Sequence, residues 1–317
     1  MSPSAITSEP IGTRFGVHTP LQHTSMAELT ALWRHVEASG DYDWVSIWDH
    51  FAALDGSASN LEAVAAHAVL AATTERVQCA CLVYSVGLRS PLQLASAIAT
   101  IDHASNGRAV LGLGAGYLEH DHRMVGEVVP PAARRAGRLI EAVHAIRALL
   151  DGEEVTVHGR HVRLDAARCA PIAVQSHLPI VVGGGGERVT IPLAARVADG
   201  WNIPMAAPEV AAHKIALLRD HEARAGRPMG SVVASVNIGL CFDEELLPLR
   251  FGERWEALRP AVCTGSTEQV IDLVGRYVDA GVDRVILSLR APYDAGCIDD
   301  LDRFTTEVLP QISGGRA

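Results

Sequence analysis

Hydrophobic and polar positions along the chain follow two alternating patterns. Short apolar runs typical of buried strands are each followed by a segment with the 3.6-residue apolar spacing of a helix. Strands are predicted at 14–18, 43–50, 77–83, 108–114, 179–182, 200–203, 232–242 and 284–289. Helices are predicted at 26–38, 61–74, 91–104, 132–150, 187–198, 208–225, 267–280 and 299–309. Eight strands alternating with eight helices predict an α/β fold, a single (β/α)8 TIM barrel, rather than an open doubly wound sheet.

One segment breaks this alternation. Residues 153–165, EEVTVHGRHVRLD, alternate apolar and polar positions on either side of His158-Gly159, which predicts a β-hairpin. We expect this hairpin to be inserted before strand five, within an insertion at about 151–178. The predicted domain organisation is a flexible N-terminal arm at 1–13 and one barrel at 14–313.

Composition and charge narrow the class of protein. A chain of 317 residues that is 48% hydrophobic can bury a large core. The formal net charge of -10, with no long basic run, argues against nucleic acid or an anionic membrane surface as a partner. The six cysteines include one C-x-C and no C-x-x-C, and we interpret them as reduced core thiols. No signal peptide or uninterrupted apolar run of 18 residues is seen, so the predicted location is the cytoplasm.

A glycine run near the middle of the chain is the strongest local signal. The apolar run 180–182 leads into Gly183, Gly184, Gly185 and Gly186, and an amphipathic segment follows. Glycines at the end of a strand let the backbone approach a ligand, and the N-terminus of the next helix attracts anions. The pattern favours a phosphate site, although an ordinary turn is an alternative, and the absence of a Walker lysine argues against a P-loop.

In a (β/α)8 barrel the functional groups follow the strands, which gives a filter for the remaining motifs. His18 follows strand one, and Asp49 and His50 follow strand two. His50 has the chemistry to transfer a proton near neutral pH, and the alternative is a turn in which Asp49 binds local backbone. Arg290 belongs to the segment that ends strand eight.

The glycines after strand four do not form a dinucleotide fingerprint. Gly112, Gly114 and Gly116 lack the third spacing and follow the wrong strand for a Rossmann fold. We expect them to let a flat ring or a phosphate tail lie close to the backbone. The nearby 120–122 segment, His-Asp-His, shares no helix face at i and i+2, so no metal site is predicted and the segment is interpreted as a solvated loop. No G-x-S-x-G occurs, which argues against an α/β-hydrolase.

An ordered set of motifs connects the chain to a known family. The motifs are VSIWDH (45–50), CLVYSVGLRSP (81–91), RAVLGLGAGYLEHD (108–121), PPAARRAGRLIEAVHAI (130–146) and PIVVGGGGERV with AARVADGWN (179–202). Together they resemble the bacterial luciferase-like oxidoreductases, and the branch that depends on the deazaflavin coenzyme F420 is the most similar. The resemblance covers roughly residues 14–290.

The resemblance implies a barrel that binds F420 or FMN at its mouth, with the insertion lying over it. It places Asp49 and His50 beside the redox ring, with His50 as proton donor or acceptor. It also implies a non-prolyl cis peptide against the ring, expected at Cys81-Leu82. Further residues implied to bind the cofactor are Gly114 and Gly116 after strand four and, for the phosphate, Gly183, Gly184, Gly185, Gly186 and Arg188.

The predicted function is therefore an F420-dependent oxidoreductase that transfers a hydride to or from a small organic substrate. The alternatives are an FMN-dependent monooxygenase and a non-catalytic flavin or deazaflavin binder. Tyr117 stands where the sugar-phosphate dehydrogenases of the family have a glutamate, although Glu119 lies nearby. F420 has a longer acidic tail than FMN, and the cations near predicted mouth loops that could meet it are Arg89, Arg123, Arg134 and Arg188. A homodimer is expected through the apolar helices at 61–74 and 91–104.

Overall fold

The computed structural model describes residues 12–57 and 59–314. The predicted arm at 1–13 lies outside the described residues except for its last two, of which Thr13 donates a hydrogen bond to the Val282 carbonyl at 3.0 Å. In chain order the strands are β1 (Arg14–His18), β2 (Trp44–Ile47), β3 (Gln78–Ser85), β4 (Ala109–Gly114), β5 (Val155–His158), β6 (Arg163–Ala167), β7 (Ile180–Gly183), β8 (Gly200–Pro204), β9 (Val233–Leu240), β10 (Val262–Cys263) and β11 (Arg284–Ser288).

Eight of these strands form a closed parallel barrel. Their order is β1, β2, β3, β4, β7, β8, β9 and β11, and β11 pairs with β1 to complete the ring. In this register His18 lies opposite Ser46 on β2 and Ser288 on β11. The predicted (β/α)8 architecture and its eight strands are confirmed.

Helices cover the outside of the barrel. They are α1 (Met26–Ser39), α2 (Ala63–Thr73), α3 (Pro91–Ala104), α4 (Glu119–Met124), α5 (Ala132–Leu150), α6 (Thr190–Val197), α7 (Pro208–Arg224), α8 (Leu247–Phe251), α9 (Trp255–Leu258), α10 (Thr267–Asp279), α11 (Ala295–Arg303) and α12 (Leu309–Gly314). A capping box of Ser25 and Glu28 begins α1, and Gly40, at a φ of 80°, ends it. The short helix α4 lies where the sequence predicted a loop.

The barrel interior is narrow and apolar below the mouth. It is filled by the side chains of Trp44, Ala80, Leu82, Val110, Val181 and Ile286. At the end opposite the mouth, the Arg284 guanidinium lies 4.5 Å from the centre of the Trp44 ring and pairs with Asp43 at 2.8 Å. These side chains occupy this end of the barrel, and active sites of this fold lie at the other end.

The predicted hairpin is confirmed as the antiparallel pair of β5 and β6 between β4 and β7. The Glu141 carboxylate of α5 attaches it to the barrel by accepting the backbone N–H groups of Arg160, His161 and Val162 at 3.2, 2.8 and 2.8 Å. Burial alone would raise the pKa of Glu141, but these donors lower it. The carboxylate therefore stays charged and holds the hairpin turn against α5.

The segment between β9 and α10 contains α8, α9 and the two-residue strand β10, which pairs with the end of β9. The Arg250 side chain of α8 donates to the carbonyls of Arg290 and Pro292 and pairs with Asp294 at 2.7 Å. This segment therefore fixes the loop that follows β11. Among the described residues, none of the helices has the length and apolarity needed to span a membrane.

Candidate functional site

The mouth of the barrel is lined by residues that follow the parallel strands. His18 ends β1, and its Nδ1 lies 3.0 Å from the Ser46 hydroxyl. Burial, together with the nearby Arg290 and His50, lowers the pKa of His18 to about 3. The imidazole of His18 is therefore neutral at physiological pH and acts as a hydrogen-bonding group rather than as an acid.

Asp49, the first residue of the predicted pair, is held by an ion pair. Its carboxylate accepts hydrogen bonds from Arg89 at 2.7 and 3.1 Å and from the Ser85 N–H at 3.1 Å. Arg89 also contacts Glu62 at 2.6 Å. Burial alone would lower the pKa of the Arg89 guanidinium, but the two carboxylates raise it. The contacts of Asp49 therefore fix the loop after β3. Arg89 was expected to meet the acidic tail of the cofactor, but its charge is already balanced by Asp49 and Glu62.

His50, the second residue of the pair, has a different partner. Its Nδ1 lies 2.7 Å from Asp121 Oδ2, and Asp121 Oδ1 accepts the Phe51 N–H at 2.9 Å. Burial alone would raise the pKa of Asp121, but the hydrogen bonds from His50 and Phe51 lower it, so the group remains a carboxylate. An ionised partner makes Nδ1 the protonated nitrogen and leaves Nε2 for a ligand. No described residue hydrogen-bonds that Nε2, and 17% of the side chain is exposed.

Arg290 places a buried cation beside this pair. Its guanidinium lies 5.4 Å from the centre of the Trp48 ring, and Trp48 lies 5.0 Å from the His50 ring. Within the described part of the chain, Arg290 Nη1 is buried without a hydrogen-bond partner. Burial lowers the pKa of the guanidinium. A buried cation with an unused donor is costly, so a ligand oxygen at this point would be stabilising.

The backbone of β3 contains a non-prolyl cis peptide bond, but not where it was expected. The bond joins Leu82 and Val83, so the predicted position, Cys81-Leu82, was wrong by one residue. The pairing of β3 with β4 shifts register between Cys81 and Tyr84, and a count back along the sequence cannot detect that shift. Cys81 is fully buried, and Leu82 packs into the barrel interior, so neither side chain lines the mouth.

Three glycines surround the Val83 side chain. A Cβ added to Gly114 or Gly183 would lie 2.4 or 2.6 Å from a methyl carbon of Val83, and one added to Gly112 would lie 2.1 Å from the Cys81 carbonyl oxygen and 3.0 Å from Val83. Only glycine therefore fits at these positions, at Gly114 and Gly183 because of Val83 and at Gly112 mainly because of the β3 backbone. The expected role of Gly114 and Gly183 in admitting a cofactor stays a prediction, because the structure gives each of them a steric reason within the protein.

Gly116 lies in a second tight contact, in the loop after β4. It has a φ of 69°, and a Cβ there would lie 2.2 Å from the Ser85 hydroxyl. The Arg135 guanidinium of α5 donates to the Gly116 carbonyl. His122 of α4 is buried nearby, and neither of its ring nitrogens has a hydrogen-bond partner among the described residues. The expected contact of Gly116 with a cofactor stays a prediction.

The glycine loop after β7 is tied down by its carbonyl groups. Gly184 has a φ of 122°, and its carbonyl accepts the Trp201 indole N–H at 2.9 Å. The Lys214 ammonium of α7 donates to the Gly185 carbonyl at 2.8 Å and to Glu187 at 2.7 Å. The hydrogen bond from Lys214 is the main cause of a lowered pKa at Glu187.

The Gly184 N–H of the same loop donates to the Asn202 carbonyl at 2.9 Å, but the next three N–H groups are unused within the described residues. Those of Gly185, Gly186 and Glu187 donate to no acceptor in the described residues. The loop leads into α6, whose N-cap residue Val189 makes no side-chain capping bond. Free N–H groups before an uncapped helix favour an anion such as phosphate. Arg188 is exposed on this loop.

The rule that functional residues follow the barrel strands predicted the position of the site but missed several of its residues. Asp121 was assigned to a solvated loop, yet it is the buried partner of His50, while Glu119 is exposed. Lys214 was missed, although its being the only lysine in the sequence was a visible signal. Val83 was missed because nothing in the sequence marks its side chain as different from its neighbours.

Comparisons with known proteins agree with this geometry. The family model of luciferase-like monooxygenases matches residues 11–246. An F420-dependent glucose-6-phosphate dehydrogenase of Kineococcus radiotolerans is 34% identical over 212 residues, which are 65% of this chain and 60% of that protein. The chain spans about half, 54%, of the length of the first curated relatives that it matches, and 68% of a second F420-dependent glucose-6-phosphate dehydrogenase, from Nakamurella multipartita.

Solved structures share the fold at low sequence identity. An F420-dependent secondary alcohol dehydrogenase, in complex with an F420-acetone adduct, superposes with a TM-score of 0.83 at 20% identity over 95% of this chain and 99% of that one. The oxygenating constituent of 3,6-diketocamphane monooxygenase from Pseudomonas putida, in complex with FMN, gives a TM-score of 0.73 at 15% identity, over 95% and 99% of the two chains.

Proposed function

Because this chain belongs to the luciferase-like monooxygenase family, we propose that it is an F420-dependent oxidoreductase acting on a small organic substrate. The F420-dependent relative and the F420-dependent structural neighbour support this branch. When bound, the deazaflavin supplies the hydride chemistry, and the protein supplies binding, orientation and proton transfer. We take residues 14–313 as one barrel domain, with 151–178 as its insertion, in a cytoplasmic enzyme.

The observation that carries the proposal is the pairing of His50 with Asp121 at the barrel mouth. The 2.7 Å hydrogen bond fixes the ring and presents Nε2, while Trp48 packs against the ring edge. A histidine oriented by a carboxylate is suited to give a proton to, or take one from, a substrate oxygen. His50 is therefore the proposed catalytic residue, and Asp121 a positioning residue.

The glycine loop fits the phosphate of such a cofactor. The free N–H groups of Gly185 and Gly186 and the uncapped start of α6 are donors without described acceptors. Gly183 and Gly184 complete the loop, and Arg188 is an exposed cation next to it. We propose this loop as the phosphate site.

The centre of the mouth fits a flat ring. Val83 is partly exposed there, on a floor of three glycines, and Gly114 belongs to that floor. Gly116 would contribute backbone at its edge. Asp49, Cys81 and Leu82 would act indirectly. Cys81 and Leu82 are buried in the strand that carries Val83, and Asp49 is buried against the end of that strand and the loop after it.

Titration of the purified apo protein with F420 and with FMN tests the cofactor. We expect F420 fluorescence to change at micromolar or lower concentration, with FMN binding more weakly. Preference for FMN would instead indicate a monooxygenase, the alternative supported by the FMN-containing neighbour. Binding without turnover on any ketone, alcohol or activated alkene would indicate a non-catalytic binder.

We also propose that two copies associate through α2 and α3. The incompletely buried side chains of α2 are apolar and uncharged over most of the helix, at Val64, Ala65, Ala68, Val69 and Ala72. A second copy would cover this face. Light scattering at micromolar concentration should give twice the mass of one chain, and Ala68→Arg should give the monomer mass. A single-chain mass for the unmodified protein would contradict the dimer.

A further inference from the structure

A basic groove runs along the loop after β3, and no residue of the glycine loop of β7 lines it. It consists of two adjoining cavities of about 330 and 390 Å³ that share His161. The cavity of about 330 Å³ lies between α5, the hairpin and the start of α3. The cavity of about 390 Å³ lies between α5 and the hairpin turn. The cations that line the groove without a described ion-pair partner are Arg134, Arg138, Arg160, Arg163 and His161.

These cations are concentrated in a protein that is acidic as a whole. The formal net charge of the chain is -10. Outside the groove, most described arginines that contact another side chain contact a carboxylate. Arg168, which follows β6, pairs with Glu154 at 2.7 Å in this way. The Glu141 carboxylate of α5, which lies against the hairpin turn, is already occupied by three backbone N–H groups. The positive charge of the groove is therefore not compensated within the described residues.

The fold places these groups close together. Arg134 and Arg138 are one helical turn apart on α5, and Arg138 is fixed by donating to the Gly87 carbonyl at 2.9 Å. A Cβ at Gly137 would lie 2.6 Å from His161 Nε2, so glycine at this helical position makes room for the ring that joins the cavities. This arrangement needs a glycine inside a helix, which is unfavourable by itself.

The start of α3 adds backbone donors to the same groove. Ser90 and Pro91 line it, and the N-cap residue Ser90 makes no side-chain capping bond. The positive end of a 14-residue helix thus faces the cavity that contains Arg138 and Arg163. Guanidinium groups and free helix N–H groups together match phosphate or carboxylate oxygens.

We propose that the groove binds a ligand that carries two or more phosphate or carboxylate groups, at a site separate from the glycine loop. Two cavities, each with at least two unpaired cations, match several anionic groups better than one. The ligand can be the acidic tail of the proposed cofactor or a separate polyanion. The first source rests on the proposed function, and the second does not.

Pyrophosphate binding, measured by calorimetry on the apo protein, tests the site itself. We expect the double variant Arg134→Gln with Arg163→Gln to raise the dissociation constant at least about tenfold, because each change removes charge-assisted hydrogen bonds. Neither side chain makes a described hydrogen bond, so the fold should be unaffected. The matched control, Arg168→Gln with Arg224→Gln, removes the same charge at exposed positions paired with other acids and should leave the constant unchanged.

F420 binding to the same variants distinguishes the two sources. If the tail occupies the groove, the double variant weakens binding of F420 but not of the deazaflavin chromophore without phosphate and tail. If a separate polyanion occupies it, F420 binding is unchanged and pyrophosphate binds together with F420. The proposal is overturned if neither pyrophosphate nor F420 responds to the loss of the two arginines. Failure of the chromophore to bind would count against the proposed function, while the pyrophosphate result would stand.

Discussion

Two adjacent residues at the end of β2 have separate partners. Asp49 pairs with Arg89 and stabilises the loop after β3, whereas His50 pairs with Asp121 of α4, which follows β4. Consecutive residues of an extended segment point in opposite directions, so neighbours in sequence contact different elements. His50 keeps its Nε2 available at the mouth, whereas the Asp49 carboxylate is used within the protein, so the two residues of the motif have different predicted effects when changed.

We expect His50→Ala to lower kcat by a factor of about 10² or more, because a positioned acid or base is lost. Asp121→Asn should lower kcat less, and should also alter its pH dependence, because the amide can hold His50 in the wrong tautomer. F420 affinity, followed by fluorescence, should be unchanged in both. Asp165→Asn, an exposed position on β6, is the control. Full turnover in the Asp121 variant would show that this carboxylate does not orient His50.

The sequence identified half of this pair. His50 was found because a charged pair ends an apolar strand, and a barrel places such residues at one mouth. Asp121 was missed because it is 71 residues away, and local periodicity contains no information on side chains that meet across strands. Arg290 was located at a strand end. That its Nη1 is buried without a hydrogen-bond partner among the described residues depends on how Trp48 and the segment after β9 pack around it, which the sequence does not show.

At the scale of elements, the helices and strands were predicted well because each has its own periodic signal. The bounds of β1, α3 and α5 agree with prediction at both ends. The cis peptide bond was misplaced because it depends on a register shift between β3 and β4. Glycines gave the least specific signal: Gly114 and Gly183 suggested a ligand, and their nearest neighbour is Val83.

The contact between β3 and β4 predicts a specific double-mutant result. Gly114→Ala should lower the free energy of unfolding by about 1–3 kcal/mol, because its Cβ would lie 2.4 Å from a Val83 methyl carbon. Adding Val83→Ala should recover most of that loss, since the clashing methyl groups are gone. Urea unfolding measures all three variants.

The control for this cycle is Gly275→Ala on α10. No described atom lies within 4 Å of its added Cβ, so alanine should raise the free energy of unfolding by up to about 1 kcal/mol. If Gly114→Ala destabilises the protein as much in the Val83→Ala background as it does with Val83 in place, the clash with Val83 does not explain this glycine.

In the molecule as a whole, the parallel strands close into a barrel that carries the candidate site at one end. The closed barrel was predictable because eight strands alternating with eight helices have few other arrangements. The distribution of charge could not be predicted, because a net charge of -10 does not reveal a groove that is lined by several arginines. Burial of titratable groups is also a property of the complete fold, and it makes stability depend on pH.

Two histidines in different parts of the barrel are kept neutral by the fold. Burial lowers the pKa of His18 to about 3 and that of His67 to about 4. His67 lies 3.0 Å from both the Tyr84 hydroxyl and the Cys79 carbonyl, so it is a core group rather than part of the mouth. In the unfolded chain both would titrate near 6.5.

The unfolded state therefore binds these protons at a higher pH than the folded state does. Their contribution to stability is fully present above pH 6.5 and is lost as the pH falls towards 4, at up to about 1.4 kcal/mol per pH unit for each group. We expect urea midpoints to fall steadily from pH 7 to pH 5. His67→Gln, whose amide can replace both hydrogen bonds, should make that decline clearly shallower, while the exposed control His144→Gln should not. An unchanged slope in the His67 variant would mean that the folded and unfolded states bind this proton over the same pH range, so that burial does not lower the pKa of His67.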